Sequence, residues 1–305
     1  MVLSKEFLRT IGDTFGDEGL TWLEMLPAII SGCERRWSLD VSPPFADLSY
    51  NYVAPARHHD GTEIVLKIGV PRAEVEREIE ALRVYNGRGS VRLLDAIPDQ
   101  GILILERLEP GRMLADLWPD DDDEATRIAA GVMRQLWRPV AVDHQFKKIE
   151  EWFEGLARLR SGFQGGCGPF PARLVETAES LYAELIQSAG EPLLLHGDLH
   201  HYNILSATRE PWLAIDPKGV AGEAAYDVGA LLRNPVPDVL IWPDLGGILE
   251  RRTSILAEIL ELDRQRILGW GMAQAVLSAW WSYEDNDSEW REVLAVAEHL
   301  SNLLR

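Results

Sequence analysis

The sequence predicts an α+β protein made of a small antiparallel-sheet lobe and a larger, mainly helical lobe. Short runs that alternate between apolar and polar residues lie before residue 108, whereas apolar residues recur at helical spacing beyond it. The length of 305 residues is typical of two domains or lobes, and 46% hydrophobic residues suffice for a core in each. We therefore expect a first lobe in residues 1–108 and a second in residues 109–305.

The small lobe is predicted to begin with a helical region and a β-hairpin. From Asp17 to Trp37, apolar residues recur at helical spacing, which indicates one or two amphipathic helices despite Pro27. Residues 47–57 and 62–69 alternate or run apolar. The Asp60-Gly61 pair between them is a strong hairpin signal, so both segments are expected to be antiparallel strands.

A helix and two more strands complete the predicted small lobe. Residues 72–87 show a helical apolar face that stops near Gly87, and residues 92–97 and 101–108 are typical of strands around a proline-containing turn. In the large lobe, the helical pattern dominates. The helices expected there include 150–160, 172–189, 245–259, 263–281 and 288–303.

The segment from Leu193 to Asp216 is the most informative about chemistry. Its first three residues are apolar and predict a short buried strand, and polar residues follow at once. Two further apolar runs, 204–205 and 212–215, flank a turn and predict a hairpin. The candidate chemical groups at its ends are an acid, a carboxamide and a second acid, namely Asp198, Asn203 and Asp216.

The spacing of these three residues fits a phosphoryl-transfer site, in which the protein mainly positions the reactants and offsets charge. A carboxylate near the acceptor hydroxyl can orient it and take its proton, while a divalent cation needs oxygen ligands. The protein-kinase catalytic loop places four residues between its Asp and Asn and a metal-binding Asp after a hairpin, as here. We predict Asp198 as the base, and Asn203 and Asp216 as ligands of Mg²⁺.

The sequence HGDLHHYNIL followed by WLAIDPKG resembles the catalytic segment of the aminoglycoside phosphotransferases and their protein-kinase-like relatives. This family has HGDxxxxN where eukaryotic protein kinases have HRDxxxxN, and the match is specific because two motifs occur at the right separation. The resemblance covers most of the chain. It implies a bilobal protein-kinase-like fold with ATP, or another nucleoside triphosphate, and Mg²⁺ in the cleft.

Within this family, the segments LSYNYVAPA, WLAIDPKG and SAWWSYEDN most resemble the streptomycin 6-phosphotransferase and hydroxyurea-type resistance kinases. The resemblance implies transfer to a hydroxyl of a small cationic antibiotic, in particular a streptomycin-like aminoglycoside. A kinase for another small hydroxylated metabolite shares every motif, and a nucleotide-binding protein without transfer activity is a further alternative. The motifs do not determine the acceptor, its reacting hydroxyl or a preference between ATP and GTP.

A buried charge pair is expected in the small lobe. Lys67 lies in the otherwise apolar strand IVLKIG, where a lysine must reach solvent or find an anionic partner. The resemblance implies that Lys67 binds the ATP phosphates and that a glutamate on the next helix orients it. In EVEREIEAL, we predict Glu78, which neighbours the apolar positions of the helix. The alternative is that Glu78 belongs to a solvated charge run.

The resemblance also implies an adenine site and a phosphate-covering loop. GILILERLEPG resembles the last small-lobe strand and the hinge, so backbone groups of Glu106 to Leu108 are expected to meet the adenine edge. No GxGxxG precedes Lys67, because residues 38–60 contain no glycine. The covering loop is therefore expected in residues 42–47 or 49–51, through backbone N–H or hydroxyl groups.

The histidines near Asp198 allow two other interpretations of the same segment. His196 and His200 with Asp198 could be zinc ligands of a hydrolase, although no second histidine cluster completes such a site. The segment could also be a polar loop with Asx turns. We expect instead that His196 hydrogen-bonds to backbone and that His201 faces solvent.

Three other polar features have structural and functional alternatives. Asp227 could be a third catalytic acid, but the matching acid of the family braces the catalytic loop, and we expect that role. The acids at 120–124 precede a helix and are expected to complement its dipole. Residues 280–287 group aromatic and acidic side chains, which could bind a cationic sugar or guanidinium group, or could form a packed tryptophan pair with a solvated cap.

Composition restricts the partners. A formal charge of −19 argues against nucleic acid and anionic membranes, and it favours a cationic substrate, although solubility alone also explains it. Cys33 and Cys167 provide no disulfide framework, and no window approaches the ~20 apolar residues that span a bilayer. We expect a cytoplasmic enzyme with a small-molecule substrate. The sequence does not determine its oligomeric state.

Overall fold

The computed structural model describes residues 3–46, 48–285 and 290–304. The chain divides into two compact units, Met1–Glu109 and Pro110–Arg305. An antiparallel sheet forms most of the first unit, and helices form most of the second. The α+β class predicted from the sequence is therefore confirmed.

The first unit begins with helix α1, Lys5–Trp37, in which two helical stretches meet at Gly16 with φ +56°. The predicted helical region is thus confirmed, but it begins well before Asp17. Ser4 caps the first turn, because its side chain accepts a hydrogen bond from the Phe7 N–H at 3.1 Å. Phe7 is also fully buried, so core packing supports this early start.

The sheet of the first unit contains the predicted hairpin and the two later predicted strands. Its strands pair in the order β1-β2-β3-β5-β4, all antiparallel. The register of the hairpin places Val53 opposite Lys67. Helix α2, Ala73–Tyr85, follows β3 as predicted. The strands are β1 (Leu39–Val41), β2 (Asn51–His58), β3 (Glu63–Gly69), β4 (Leu93–Ile97) and β5 (Ile102–Glu106).

The second unit combines helices with two small sheets, ordered β11-β10-β6 and β7-β9-β12-β8. The helices predicted in this region are present, with ends shifted by a few residues. The helices are α3 (Asp122–Leu136), α4 (Ile149–Gly162), α5 (Ala172–Gln187), α6 (Gly229–Leu232), α7 (Leu245–Leu260), α8 (Arg264–Glu284) and α9 (Trp290–Leu303). The strands are β6 (Pro110–Met113), β7 (Arg138–Pro139), β8 (Lys147–Lys148), β9 (Leu193–Leu195), β10 (Ile204–Ala207), β11 (Trp212–Ala214) and β12 (Val220–Gly222).

Helix α8 is the central element of the second unit. Nearly every residue from 267 to 280 is buried, because α5 and α9 pack against it. Gln274 of α8 donates a hydrogen bond to the Tyr226 carbonyl and accepts one from Arg233. The core helix thus supports the segment that carries Arg233.

In the part of the chain that the structure describes, no helix combines the length and apolar character needed to cross a bilayer.

Candidate active site

Two strands and a tight turn position the three residues singled out by their spacing. Strand β9 ends at Leu195, a 3-10 turn spans His201–Asn203, and β10 follows directly. The predicted hairpin forms, with Ile204 opposite Ala214. The Ile215 N–H donates to the Asn203 carbonyl at 2.9 Å, so Asn203 and Asp216 lie at the same end of the hairpin.

The donor set of this site fits a hard divalent cation. Asn203 Nδ2 donates to the Asp198 carbonyl at 2.9 Å, so the amide oxygen is the atom that a cation would take. Asp216 adds a carboxylate and has φ +60°, a conformation that is uncommon outside glycine and that concentrates at functional sites. One carboxylate and one amide oxygen suit Mg²⁺, which usually completes its shell with waters and substrate phosphates.

His196 has the structural role that we expected, and this excludes the zinc alternative. The Asp198 N–H donates to Nδ1 of His196 at 3.2 Å, so Nε2 carries the proton and donates to the Ile215 carbonyl at 2.9 Å. Both ring nitrogens are therefore engaged with backbone. Burial lowers the pKa of His196 to about 4, which keeps the ring neutral. Among the described residues, no three or more His, Cys, Asp and Glu side chains are grouped so that they could hold a metal ion.

Asp227 braces the catalytic loop, as expected. Its Oδ1 accepts the Gly197 N–H at 2.8 Å, and its Oδ2 accepts the His196 N–H at 3.2 Å and the indole N–H of Trp137 at 3.1 Å. Burial raises the pKa of Asp227, and these N–H donors counteract the rise. Since Asp227 binds the backbone just before Asp198, it is a positioning residue.

Gly197 is required by the backbone between His196 and Asp198. Its φ is +85°, and a Cβ at this position would lie 2.6 Å from Cγ2 of Val220 in β12. Only glycine combines this conformation with such a close approach. The short strand β12 therefore packs directly against the catalytic loop.

Asp198 is half-buried, and an arginine and a histidine lie beside its carboxylate. Arg233 Nη2 lies 3.6 Å from Oδ1, and His200 Nε2 lies 3.7 Å from Oδ2. Burial alone would raise the pKa of Asp198, but His200, Lys218 and Arg233 together hold it well below its usual range. Asp198 is thus ionised at neutral pH and can accept a hydrogen bond from a hydroxyl.

The predicted ion pair of the first unit is present. Lys67 Nζ lies 2.7 Å from both carboxylate oxygens of Glu78, and each residue is 5% exposed. Glu78 lies on the inner face of α2, whereas Glu74, Glu76 and Glu80 are exposed. The solvated charge run is therefore the wrong interpretation for Glu78. The roles of Lys67 and Glu78 toward a nucleotide stay predictions.

Some of the backbone groups that we expected to contact adenine or phosphate are already engaged in hydrogen bonds within the protein. The Glu106 N–H donates to the Arg92 carbonyl at 3.0 Å within the sheet, so this N–H is not available to a base; Leu108 follows the strand and is buried. Likewise, the N–H groups of Ser42 and Phe45 donate to carbonyls of β2. These two N–H groups are therefore not available to a phosphate, whereas the Ser42 hydroxyl and residues 49–51 stay candidates for the covering loop. Asp47 lies outside the described residues.

One expectation near the catalytic loop is wrong, because His201 is fully buried rather than solvent-facing. The acids at 122–124 lie in the first turn of α3, as expected, but Asp122 is only 7% exposed there. Arg252 of α7, also fully buried, binds Asp122 through Nε at 3.0 and 3.1 Å and lies 3.4 Å from His201 Nε2. Burial and Arg252 hold the pKa of His201 well below its ordinary value.

Arg252 also fixes the segment that carries Arg233. Its guanidinium donates to the carbonyls of Leu231 and Asn234 and lies over the Trp118 ring, 5.3 Å from the centroid. The chain on both sides of Arg233 is thereby held, and Arg233 in turn contacts Asp198. No local sequence pattern signals this arrangement, because Asp122 and Arg252 are 130 residues apart.

The aromatic and acidic group near the end of α8 is a packed cluster in its described part. Trp280 is buried and contacts Phe163 and Phe170 edge-on, and Tyr283 stacks on Trp280. Glu284 pairs with Arg158 at 3.0 and 3.1 Å. The packing alternative is thus confirmed for residues 280–285, and Asn286 and Asp287 lie outside the described residues.

The two units together show the features of a protein-kinase-like phosphotransferase: a strand lysine paired with a helix glutamate in one, and an Asp–Asn–hairpin–Asp site in the other. The family model described as aminoglycoside/hydroxyurea antibiotic resistance kinase matches residues 36–286. The chain belongs to this family. It is therefore a small-molecule kinase, as the sequence predicted.

Similar proteins agree with this assignment. The chain is 36% identical over 281 residues to the streptomycin 6-kinase of Streptomyces glaucescens. The alignment covers 90% of this chain and 88% of that protein. It is 34% identical over 293 residues to the hydroxyurea phosphotransferase of Kitasatospora aureofaciens, with 93% and 82% covered. The predicted resemblance to streptomycin and hydroxyurea resistance kinases is confirmed.

Solved structures show the same fold. The crystal structure of a thermostable mutant of aminoglycoside phosphotransferase APH(4)-Ia, a ternary complex with ADP and hygromycin B, has a TM-score of 0.62 to this chain. Sequence identity is 14%, and the alignment covers 90% of this chain and 97% of that one. The predicted protein-kinase-like fold is thereby confirmed.

Proposed function

We propose that this protein transfers the γ-phosphoryl group of ATP to a hydroxyl of a small cationic antibiotic, in particular a streptomycin-like aminoglycoside. The observation that carries the proposal is that Asn203 and Asp216 lie at one end of the hairpin and that Asn203 bonds to the backbone of Asp198. The family assignment and the names of the relatives support the acceptor class.

Each residue of the site has a distinct role in the proposed transfer. The Asp198 carboxylate accepts a hydrogen bond from the acceptor hydroxyl and aligns its oxygen for in-line attack. Because the pKa of Asp198 is low, proton transfer to it comes late, after the bond to phosphorus has largely formed. Asp227 and His196 hold the backbone on which Asp198 depends.

The nucleotide and its metal ion complete the proposed chemistry. Asn203 and Asp216 would hold Mg²⁺, which supplies positive charge that offsets the charge of the phosphates. In the first unit, Lys67 would bind the phosphates of ATP, or of another nucleoside triphosphate, and Glu78 would fix the lysine. The segment Glu106 to Leu108 would meet the adenine, with Glu106 limited to its carbonyl. On this proposal, residues 1–108 bind nucleotide and residues 109–305 bind the acceptor.

The proposed setting is the cytoplasm, where ATP is available. Cys33 and Cys167 are free thiols, which suits a reducing compartment. A second candidate acceptor is hydroxyurea, because the Kitasatospora aureofaciens relative acts on it and is nearly as similar to this chain as the streptomycin kinase. A kinase for an amino alcohol or sugar would use the same residues.

The acceptor is tested by ADP release with MgATP across a panel of streptomycin, other aminoglycosides, hydroxyurea, amino alcohols and sugars. We expect acceptor-dependent ADP release with streptomycin and none with sugars that lack a cationic group. If hydroxyurea were the only compound that caused ADP release, hydroxyurea would be assigned as the acceptor. Clear ATP binding without release for any acceptor would contradict the proposed transfer.

A further inference from the structure

Lys218 lies beside the Asp216 carboxylate and close enough to Asp198 to act on it electrostatically. Its Nζ is 3.0 Å from Oδ2 of Asp216, the proposed metal ligand two residues earlier. Its positive charge also contributes to the low pKa of Asp198. The ammonium group is thus close to the place where the phosphoryl group must pass between the metal-bound phosphates and the acceptor oxygen.

The backbone of Lys218 is fixed against the catalytic loop, whereas its side chain is partly exposed. The Lys218 N–H donates to the His196 carbonyl at 2.8 Å, and its Cβ would lie 3.4 Å from a Cβ at Gly197. The side chain is 39% exposed. A lysine ammonium on a flexible four-carbon stem can therefore follow a ligand while its anchor stays in place.

Arg233 is the other cation at Asp198, and its side chain is more buried than that of Lys218. Its side chain is only 11% exposed, and Nη1 donates to Oε1 of Gln274 at 3.2 Å. This buried, tethered guanidinium orients Asp198. Of the two cations, Lys218 is the one with access to an incoming phosphate.

We propose that Lys218 is a further catalytic residue, which binds the oxygens of the phosphoryl group during transfer. The proposal rests on the proposed kinase function. Asp216 would hold Mg²⁺ beside the Lys218 ammonium, and the partly exposed ammonium would then contact the oxygens of the γ-phosphate that the metal ion binds. Positive charge beside the γ-phosphate stabilises the transition state of phosphoryl transfer.

The phosphoryl transfer requires no proton from Lys218. A bond forms between the acceptor oxygen and the γ-phosphorus, and the bond from the γ-phosphorus to the bridging oxygen breaks. The electron pair of the broken bond leaves with ADP, and the acceptor proton passes to Asp198. Lys218 stays protonated and only offsets the charge of the phosphoryl oxygens.

A comparison of nucleotide affinities tests this proposal without any acceptor. The probes are MgADP and the magnesium complex of the non-hydrolysable triphosphate AMP-PNP, titrated against wild type, Lys218→Met, Lys218→Gln and Lys218→Arg. We expect Lys218→Met and Lys218→Gln to lose about tenfold in affinity for AMP-PNP, with MgADP affinity unchanged. Lys218→Arg should recover part of the loss. Lys148→Met, at an exposed lysine of the same unit, is the matched control.

Turnover provides the second readout. With a working acceptor, kcat should fall on the order of 100-fold in Lys218→Met while the acceptor KM changes little. If the Lys218–Asp216 pair is purely structural, Lys218→Met should lower the affinities for MgADP and AMP-PNP equally, or should change neither. Either result overturns the proposal. The affinity titrations contain no acceptor, so their result does not depend on which acceptor the enzyme uses. A wrong acceptor assignment would be detected by the ADP-release panel instead.

Discussion

Asp198→Ala is expected to lower acceptor phosphorylation by about 1000-fold, the loss typical of a removed catalytic base. Without the carboxylate, nothing orients the acceptor hydroxyl or takes its proton. Nucleotide affinity should stay close to wild type, because the proposed metal and phosphate contacts come from Asn203, Asp216 and Lys67. The measurement is kcat/KM for the acceptor together with the dissociation constant of MgADP.

Two controls make this result specific. Asp143→Ala removes an exposed carboxylate from the same unit and should leave kcat/KM unchanged. Asp198→Asn keeps the volume of the side chain and should lose nearly as much activity as Asp198→Ala, because the amide cannot take the proton. Wild-type turnover in either Asp198 variant would remove this residue from its assigned role.

Arg252→Met is expected to destabilise the protein by about 3–5 kcal/mol, the range for breaking a buried ion pair from one side. The variant leaves Asp122 buried without its cation, and it removes the donor from the carbonyls of Leu231 and Asn234. The free energy of unfolding of the second unit's transition in urea measures the effect.

The neighbouring arginine is a matched control. Arg251 is 50% exposed, and its ion pairs with Asp123 and Asp244 are long, at 3.6 and 3.9 Å. Arg251→Met should therefore change the free energy of unfolding by less than about 1 kcal/mol. The double variant Arg252→Met/Asp122→Leu should lose less than Arg252→Met alone, since it leaves no unpaired charge. Equal stability of the two single variants would refute the structural role of Arg252.

The sequence predicted those parts of the site that local spacing encodes. The order of Asp198, Asn203 and Asp216 along a loop and hairpin is a short-range pattern, and strand periodicity places it on β9, β10 and β11. The Lys67 and Glu78 pair was also predictable, because a lysine in an apolar strand needs an anion and few glutamates face inward on α2.

Contacts between distant segments could not be predicted in this way. The acids at 120–124 have the pattern of a helix start, which is confirmed, but the pattern does not indicate that Arg252 of α7 pairs with Asp122 and that Asp122 is buried. His201 is buried beside the same arginine, and its polar neighbours in the sequence did not indicate this. Lys218 was not among the predicted site residues, although it lies only two residues after Asp216.

The most direct test of the central claim is mass spectrometry of streptomycin after incubation with MgATP and the wild-type protein, with Asp198→Ala in parallel. The account predicts streptomycin that has gained one phosphoryl group with the wild type and unmodified streptomycin with the variant. ATP consumption without any phosphorylated product, or the same product from Asp198→Ala, would contradict it.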